Sequence, residues 1–543
     1  MDFRCLAFAI TIYLLLNMRN INTRHFICFK KEILAIVFVC LMAYSPLLNA
    51  QSPYKPTWES LERYEIPEWF QDAKFGIYAH WGPVSSAFEG TDPDKYYRGW
   101  HGMIMYDDGK KVSLNGNGKP SNNYLHHAEK YGDPEQYGYK YIIEQFDPSG
   151  FDAEVWAELF AKSGAKFAGP VAMHHDNFAM WDSKATRWNS MNYGGIDPSA
   201  ALKEAIENRG MRFMASFHHA FTWKYFGPAH AYGDIDPKDY DLYTNPHELD
   251  DDTPDKDFYK SWWAKLKEYI DTYQPDLIWF DWWLENMDEE TRLKFLAYYY
   301  NQAEKWGKEV AVAYKESTFT TSTAVKDYER GRPNQPKSPA WLTDTSPGAW
   351  FYRPGAKFKS PNELVDILVD IVAKNGVMLL NVPPDPDGSI PSEMVDLLTD
   401  LGSWLEVNGE AIYGTRPWAV FGEGPTRLPE GGHKIEKLEI SYTAEDIRYV
   451  KKSDQLVYAI VMDKPDGDIV LKTLSTDIGA LNSKILEVSL VGSEEKLEWE
   501  RNEKGLIIKK PAELPTGYAH CFKLTLEGYV ENDIGGDVED HID

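Results

Sequence analysis

Between about residues 69 and 404, short apolar runs rich in β-formers alternate with segments of helical period. The runs 75–80, 167–174, 213–218, 277–281, 310–315 and 377–381 predict strands. The stretches 153–163, 200–208, 257–273, 289–305 and 361–374 predict helices. Strand–helix alternation kept up over roughly 300 residues predicts an α/β fold, a parallel barrel of the (β/α)8 kind. Fewer than eight strands are legible, because 314–350 is irregular. Each legible strand ends in a polar residue: His80, His174-His175, His218-His219, Asp281, Lys315 and Asn381. One such residue is an ordinary loop position. Six of them predict a site, since all strand C-termini of a parallel barrel open on one face.

After 404 the pattern changes. Short alternating runs at 438–442, 456–461, 468–472 and 486–491 are separated by turn signals such as Lys464-Pro465-Asp466-Gly467. They predict a C-terminal antiparallel β-sandwich over 416–530, following a barrel domain over 51–415. Residues 531–543 are acidic and expected to be disordered.

At the start, Lys30 and Lys31 precede an apolar run, 33–42, and then Ser45-Pro46-Leu47-Leu48-Asn49-Ala50. A basic region, an apolar region and a small-residue end predict a leader, 1–50, cleaved after Ala50. The expected location is exported, periplasmic or extracellular, with no stable membrane association after cleavage. The run is too short for a confident span; a retained anchor involving 6–16 is the alternative. Cys5, Cys28 and Cys40 lie in the leader, which leaves Cys521 alone and no disulfide to form within the mature chain. The leader carries five Lys/Arg and two Asp/Glu, so its loss takes the net charge from −27 to −30. That acidity argues against nucleic acid or an anionic membrane as partner. It also makes a highly sulfated polymer an awkward ligand unless the cleft is locally basic. Aromatic residues make up 14% of the chain. A large core accounts for most of them, but flat rings also suit the C–H faces of sugars.

Several segments resemble glycoside hydrolase family 29, the α-L-fucosidase family. They are Trp69-Phe70-Gln71-Asp72-Ala73-Lys74-Phe75-Gly76-Ile77-Tyr78-Ala79-His80-Trp81-Gly82, His174-His175-Asp176-Asn177, Gln274-Pro275-Asp276-Leu277-Ile278-Trp279-Phe280-Asp281 and Lys374-Asn375-Gly376-Val377-Met378-Leu379-Leu380-Asn381-Val382-Pro383-Pro384. The likeness spans about 58–420, and a trailing β-sandwich is also the family's layout. It implies a retaining exo-α-L-fucosidase acting on terminal fucosyl linkages of an oligosaccharide or polysaccharide through a covalent glycosyl-enzyme, without cofactor or metal. Paired carboxyls in such enzymes sit about 5–5.5 Å apart.

The resemblance matches Asp281 to the nucleophile. Its position agrees, at a strand end among Trp279, Phe280, Trp282 and Trp283. Glu329 in Asp327-Tyr328-Glu329-Arg330-Gly331 is the best match for the acid/base, with Glu316 second and Glu285 third. Lys326, Arg330 and Arg332 should lower its pKa and Asp281 should raise it. His80, Trp81, His174 and His175 match sugar-hydroxyl ligands. Trp279 matches a wall against the ring or C6 methyl, and Trp100, His218, His219 and Lys315 complete the expected substrate-binding set. There are departures. Gly99-Trp100-His101 stands where many relatives have Glu-Trp-Tyr, Lys315 stands near a common Arg, and Ser216-Phe217-His218-His219 replaces a tyrosine-containing version. They leave open the linkage, and with it a related substrate such as an α-L-galactoside or a fucan-derived oligosaccharide. Two other classes compete: a metal-dependent barrel hydrolase using His80, His174, His175 and Asp281 as ligands, and a glycan-binding protein without turnover.

Overall fold

A computed structural model describes residues 53–87, 99–429 and 440–528. The expected leader and acidic tail lie outside the described residues.

Eight parallel strands form the first sheet: β1 (Phe75–Ala79), β2 (Phe167–Met173), β3 (Arg212–Phe217), β4 (Leu277–Phe280), β5 (Ala311–Tyr314), β6 (Val325–Lys326), β7 (Trp341–Thr345) and β8 (Gly376–Asn381). The pairing runs β6-β5-β4-β3-β2-β1-β8-β7. A parallel bridge between Asp327 and Leu342 joins the two ends and closes the barrel. Beyond it, Tyr328 N donates to Leu342 O at 2.9 Å and Arg330 N to Asp344 O at 2.8 Å. The seam is therefore stitched by the segment that carries Glu329.

The barrel interior is packed, not hollow. Tyr78, Phe167, Met214, Leu277, Trp279, Val325, Leu342 and Leu379 fill it, and Phe70 and Ala73 of helix α1 (Glu68–Ala73) join the same cluster. Gly76 is required for this packing. A Cβ there would lie 2.2 Å from the Phe167 ring, which crosses at that point.

Outer helices include α2 (Ala153–Lys162), α3 (Pro198–Glu207), α4 (Thr222–Tyr232), α5 (Lys256–Tyr273), α6 (Glu289–Trp306), α7 (Pro361–Ala373) and α8 (Ser392–Asn408). Their ends follow the sequence. Asp288 caps α6 through Thr291 N, and Gly307 ends it in the left-handed region. Ser360 and Glu363 form a reciprocal capping box on α7, with Pro361 in its first turn.

The C-terminal region pairs antiparallel throughout. One sheet has the order β13-β16-β11-β10-β9 and the other β12-β15-β14, from β9 (Arg416–Glu423), β10 (Ile447–Ser453), β11 (Leu456–Val461), β12 (Ile469–Leu471), β13 (Ile485–Leu490), β14 (Trp499–Asn502), β15 (Gly505–Ile508) and β16 (His520–Leu526). A single apolar cluster draws on both, with Trp418, Tyr449, Val457 and Phe522 from the first and Ile469, Leu471, Leu506 and Ile508 from the second. The sequence misplaced one strand. Residues 440–442 carry none and 438–439 lie outside the described residues; the pairing strand is β10. No helix among the described residues is long and apolar enough to cross a membrane.

The sandwich is joined to the barrel by buried polar bonds. Trp404 Nε1 on α8 donates to Ala519 O at 2.8 Å, and Arg448 Nε on β10 donates to Asp370 Oδ1 on α7 at 2.8 Å. Truncation at about residue 415 uncovers this face and leaves Asp370 short of a partner. The truncated chain is expected to be aggregated or insoluble. A monodisperse, fully active truncation in size-exclusion and turnover measurements would contradict this.

Candidate active site

The strand ends converge on one cleft of about 1490 Å³. Among the expected residues, His80, Trp100, His174, His175, His218, Trp279, Asp281, Lys315 and Glu329 line it, as do Glu285 and Glu316. Trp81 and His219 are not among its lining residues, and core partners replace the sugar contacts expected of them. Trp81 stacks on Phe151 and donates from Nε1 to Pro386 O at 3.1 Å. His219 stacks on Trp262 and is buried.

The centre of the floor is an ammonium among carboxylates. Lys315 Nζ donates to Asp281 Oδ1 at 3.0 Å, Glu329 Oε2 at 2.5 Å and Asp344 Oδ2 at 3.3 Å. It also sits 4.8 Å from the Trp279 ring centroid. Because one ammonium bonds both, the Asp281 and Glu329 oxygens lie within about 5.5 Å of each other, short of the roughly 6.5–9.5 Å of inverting pairs.

The same cluster gives the two carboxyls different acidities. Burial works to raise the pKa of Asp281, but Lys315 and His218 outweigh it and hold the carboxyl well below its usual range. His218 Nδ1 donates to Asp281 Oδ2 at 3.1 Å. Burial raises Glu329, and repulsion from Asp344 and Asp281 adds to this against the pull of Lys315. The cations expected to acidify Glu329 have other partners. Arg330 lies over the Trp350 ring and donates to Gly348 O, Arg332 meets Asp370, and Lys326 donates to Glu316 O. Burial also raises Glu285, which has no bond to Lys315, while Glu316 is exposed at the rim.

Asp327 and Asp344 are site residues that the sequence reading missed. Trp279 Nε1 donates to Asp327 Oδ2 at 3.0 Å, Asp344 N to Asp327 Oδ1 at 3.0 Å, and Tyr78 Oη to Asp344 Oδ2 at 3.0 Å. Burial, then the Asp344 charge, drives the Asp327 pKa well above the usual range. The available signal was an Asp within Trp341-Leu342-Thr343-Asp344-Thr345. A charged residue inside a buried strand needs either partners or a task.

His80, His174 and His175 are held toward the neutral form. Burial first, then neighbouring imidazoles, depress His80 and His174 well below the ordinary value, and burial takes His175 down to about 4. His80 Nδ1 lies 2.8 Å from Asn381 Oδ1 and His175 Nδ1 lies 2.9 Å from His218 O. Both partners are acceptors, so both Nδ1 atoms carry the hydrogen and both Nε2 atoms keep a lone pair.

Two groups bring donor atoms within 4.8 Å of one another: His80, His174 and His218, and His175, His218 and Asp281. The second, which contains Asp281, fits a dication poorly. His218 Nδ1 is protonated toward Asp281, and the Lys315 charge lies 3.0 Å from the other Asp281 oxygen.

With this geometry in view, the sequence comparisons are decisive. A family model described as alpha-L-fucosidase matches residues 41–410, and one described as alpha-L-fucosidase C-terminal domain matches 441–525. The chain belongs to the α-L-fucosidase family. An alpha-L-fucosidase of Dictyostelium discoideum is 28% identical over 518 residues, covering 90% of this chain and 98% of that one. The tissue alpha-L-fucosidase of Rattus norvegicus is 28% identical, covering 90% and 96%. The crystal structure of Thermotoga maritima alpha-fucosidase with a mechanism-based inhibitor is 28% identical, with a TM-score of 0.67 over 87% of this chain and all of that one. Barrel, sandwich and polar cleft are thus those of a fucosidase fold.

Lys315 is the group to remove first. Lys315→Met leaves Asp281, Glu329 and Asp344 without their common cation, and kcat/KM of this fucosidase should fall by at least about 100-fold. Asp281 gains a proton more readily without the ammonium, so the acidic limb of the kcat/KM profile should move to higher pH. The stability deficit of the variant should shrink as the pH falls and the uncompensated carboxylates take up protons. An unmoved acidic limb in a folded variant would show that Lys315 does not control Asp281.

Proposed function

We propose that this fucosidase removes terminal α-L-fucosyl groups with retention, with Asp281 as nucleophile and Glu329 as acid/base. The observation that carries the reading is the shared ammonium, which keeps one carboxyl ionised beside a second that favours its proton. An Asp281 oxygen attacks the anomeric carbon as the glycosidic C–O bond breaks, and the leaving oxygen takes the Glu329 proton. Esterification removes the Asp281 charge, so Glu329 loses one source of repulsion and becomes the base. Water then attacks the same carbon, its proton goes to Glu329, and the ester bond breaks with net retention.

Trp279 offers an apolar wall suited to the C6 methyl. An apolar wall rejects the added C6 hydroxyl of an α-L-galactoside only weakly, so that substrate belongs to the same reading. The leader pattern at 30–50 supports export to the periplasm or beyond, where a fucosylated glycan would be met.

Replacement of Asp281 by Gly should cut kcat by about 1000-fold or more, with azide restoring turnover as a glycosyl azide. Near-normal turnover would remove Asp281 from the reaction. Glu329→Ala should hurt poor leaving groups most, because an acidic phenol departs without a proton. On an activated aryl fucoside it should stall at the glycosyl-enzyme and be rescued by azide with retention. Glu316→Ala and Glu285→Ala should show neither behaviour. Leaving-group dependence and azide rescue in one of these, and not in Glu329→Ala, would move the acid/base role there.

A further inference from the structure

We propose that Arg448 of the C-terminal sandwich is a positioning residue for the proton-donor turn, acting through Asp370 and Arg332. The proposal rests on the reading of Glu329 as acid/base. Asp370 on α7 is fully buried, and three cations from three parts of the chain meet it. Arg448 Nε donates to Oδ1 at 2.8 Å, Lys374 Nζ to Oδ2 at 2.9 Å and Arg332 Nη1 to Oδ2 at 3.4 Å. Arg332 is three residues from Glu329 and is itself buried. One buried carboxylate thus ties the sandwich to the turn that carries the proton donor.

The turn needs such a tie. On the barrel side it is fixed at the backbone. Arg330 N bonds Asp344 O, and Thr343 Oγ1 shares its hydrogen between Tyr328 O at 2.6 Å and Gly331 O at 2.9 Å. Behind it lies a cavity of about 60 Å³ bordered by Arg330, Arg332, Thr343, Asp366, Ile440 and Tyr442. A space of that size admits water rather than side chains, so among the described residues the turn is not closely packed on that side. Arg332 is held from below by Asp370 instead. Arg448 is in turn fixed between aromatic rings, 5.2 Å from that of Tyr442 and 5.7 Å from that of Phe421. Paired buried groups of this kind hold one geometry, because any displacement leaves a charge unpaired.

The test compares Arg448→Met, Arg448→Lys and Arg332→Met in the full chain, each checked for folding by thermal melting, with Glu329→Ala alongside. On a fucosyl disaccharide, kcat/KM of Arg448→Met should fall by about 10-fold or more, whereas on an activated aryl fucoside it should fall less than about 3-fold, since only the first needs the acid. The basic limb of the profile should move to lower pH, because a loosened turn loses the burial that raises Glu329. Arg448→Lys should recover part of the selective loss. Arg332→Met cuts the same link from the barrel side, so it should reproduce the pattern, and the double variant should be no worse than the poorer single. Equal losses on both substrates, or unchanged kinetics in folded Arg448→Met and Arg332→Met, would overturn the proposal. Should Arg448→Met fail to fold, Arg332→Met decides alone. If Glu329→Ala is selective and the arginine variants are not, only the link falls. If Glu329→Ala is itself unselective, the acid/base assignment falls and takes the link with it.

Discussion

One buried ammonium, that of Lys315, sits against the carboxyls of Asp281, Glu329 and Asp344, with Asp327 behind them. Burial of a carboxylate costs several kcal/mol unless it is paired and hydrogen-bonded. A single cation cannot compensate four. Burial holds His80, His174 and His175 toward the neutral form, so these three add little to the compensation. Geometry decides which carboxyls are held toward the ionised form and which toward the protonated form. Asp281 takes bonds from Lys315 and His218 and stays ionised. Asp327 and Glu329 are pushed toward the protonated form. Opposite protonation states in two adjacent carboxyls are what a retaining glycosidase needs.

The barrel supplies this arrangement from beneath. Tyr78 and Trp279 belong to the packed interior, and their polar tips donate upward to Asp344 and Asp327. Interior packing and acidity are thus set by the same side chains. The seam is the weakest part of the barrel, since β6 has two residues and meets β7 through a single described bridge. Glu329 stands on that seam. A residue on a broken ladder gains freedom of placement at the cost of ladder bonds. The replacement restraints are the Thr343 hydroxyl and the ion cluster at Asp370.

Legibility in the sequence followed the physics of each element. Six strands could be read because each is a continuous apolar run ending in a polar residue, as strands covered on both faces are. β6 was too short to show a period, and β7 carries Thr343, Asp344 and Thr345 where an apolar run was sought. Asp327 and Asp344 were hidden for the same reason. Trp81 entered through the family resemblance and His219 through its place at a strand end, and neither signal gives the direction of a side chain. Successive side chains leaving a strand point to opposite sides, and here Trp81 and His219 turn into the core while His80 and His218 face the cleft. His174 and His175 both reach the cleft, and there the β2–β3 register has already shifted between Val171 and Met173.

The neutral imidazoles explain why the cleft suits a polyol. The Nε2 of His175 lies 3.4 Å from Asp281 Oδ2. Its hydrogen is on Nδ1, so a lone pair faces a carboxylate and no bond joins them. His80 likewise spends its hydrogen on Asn381 and keeps an acceptor. This wall of the cleft is rich in acceptors and short of donors. A cation would satisfy it, but Lys315 already fills that role at Asp281. Hydroxyl groups satisfy it as well, each bringing a hydrogen without a charge, and so leave undisturbed the proton balance between Asp281 and Glu329. Such a wall suits hydroxyl groups without adding a charge beside Asp281 and Glu329.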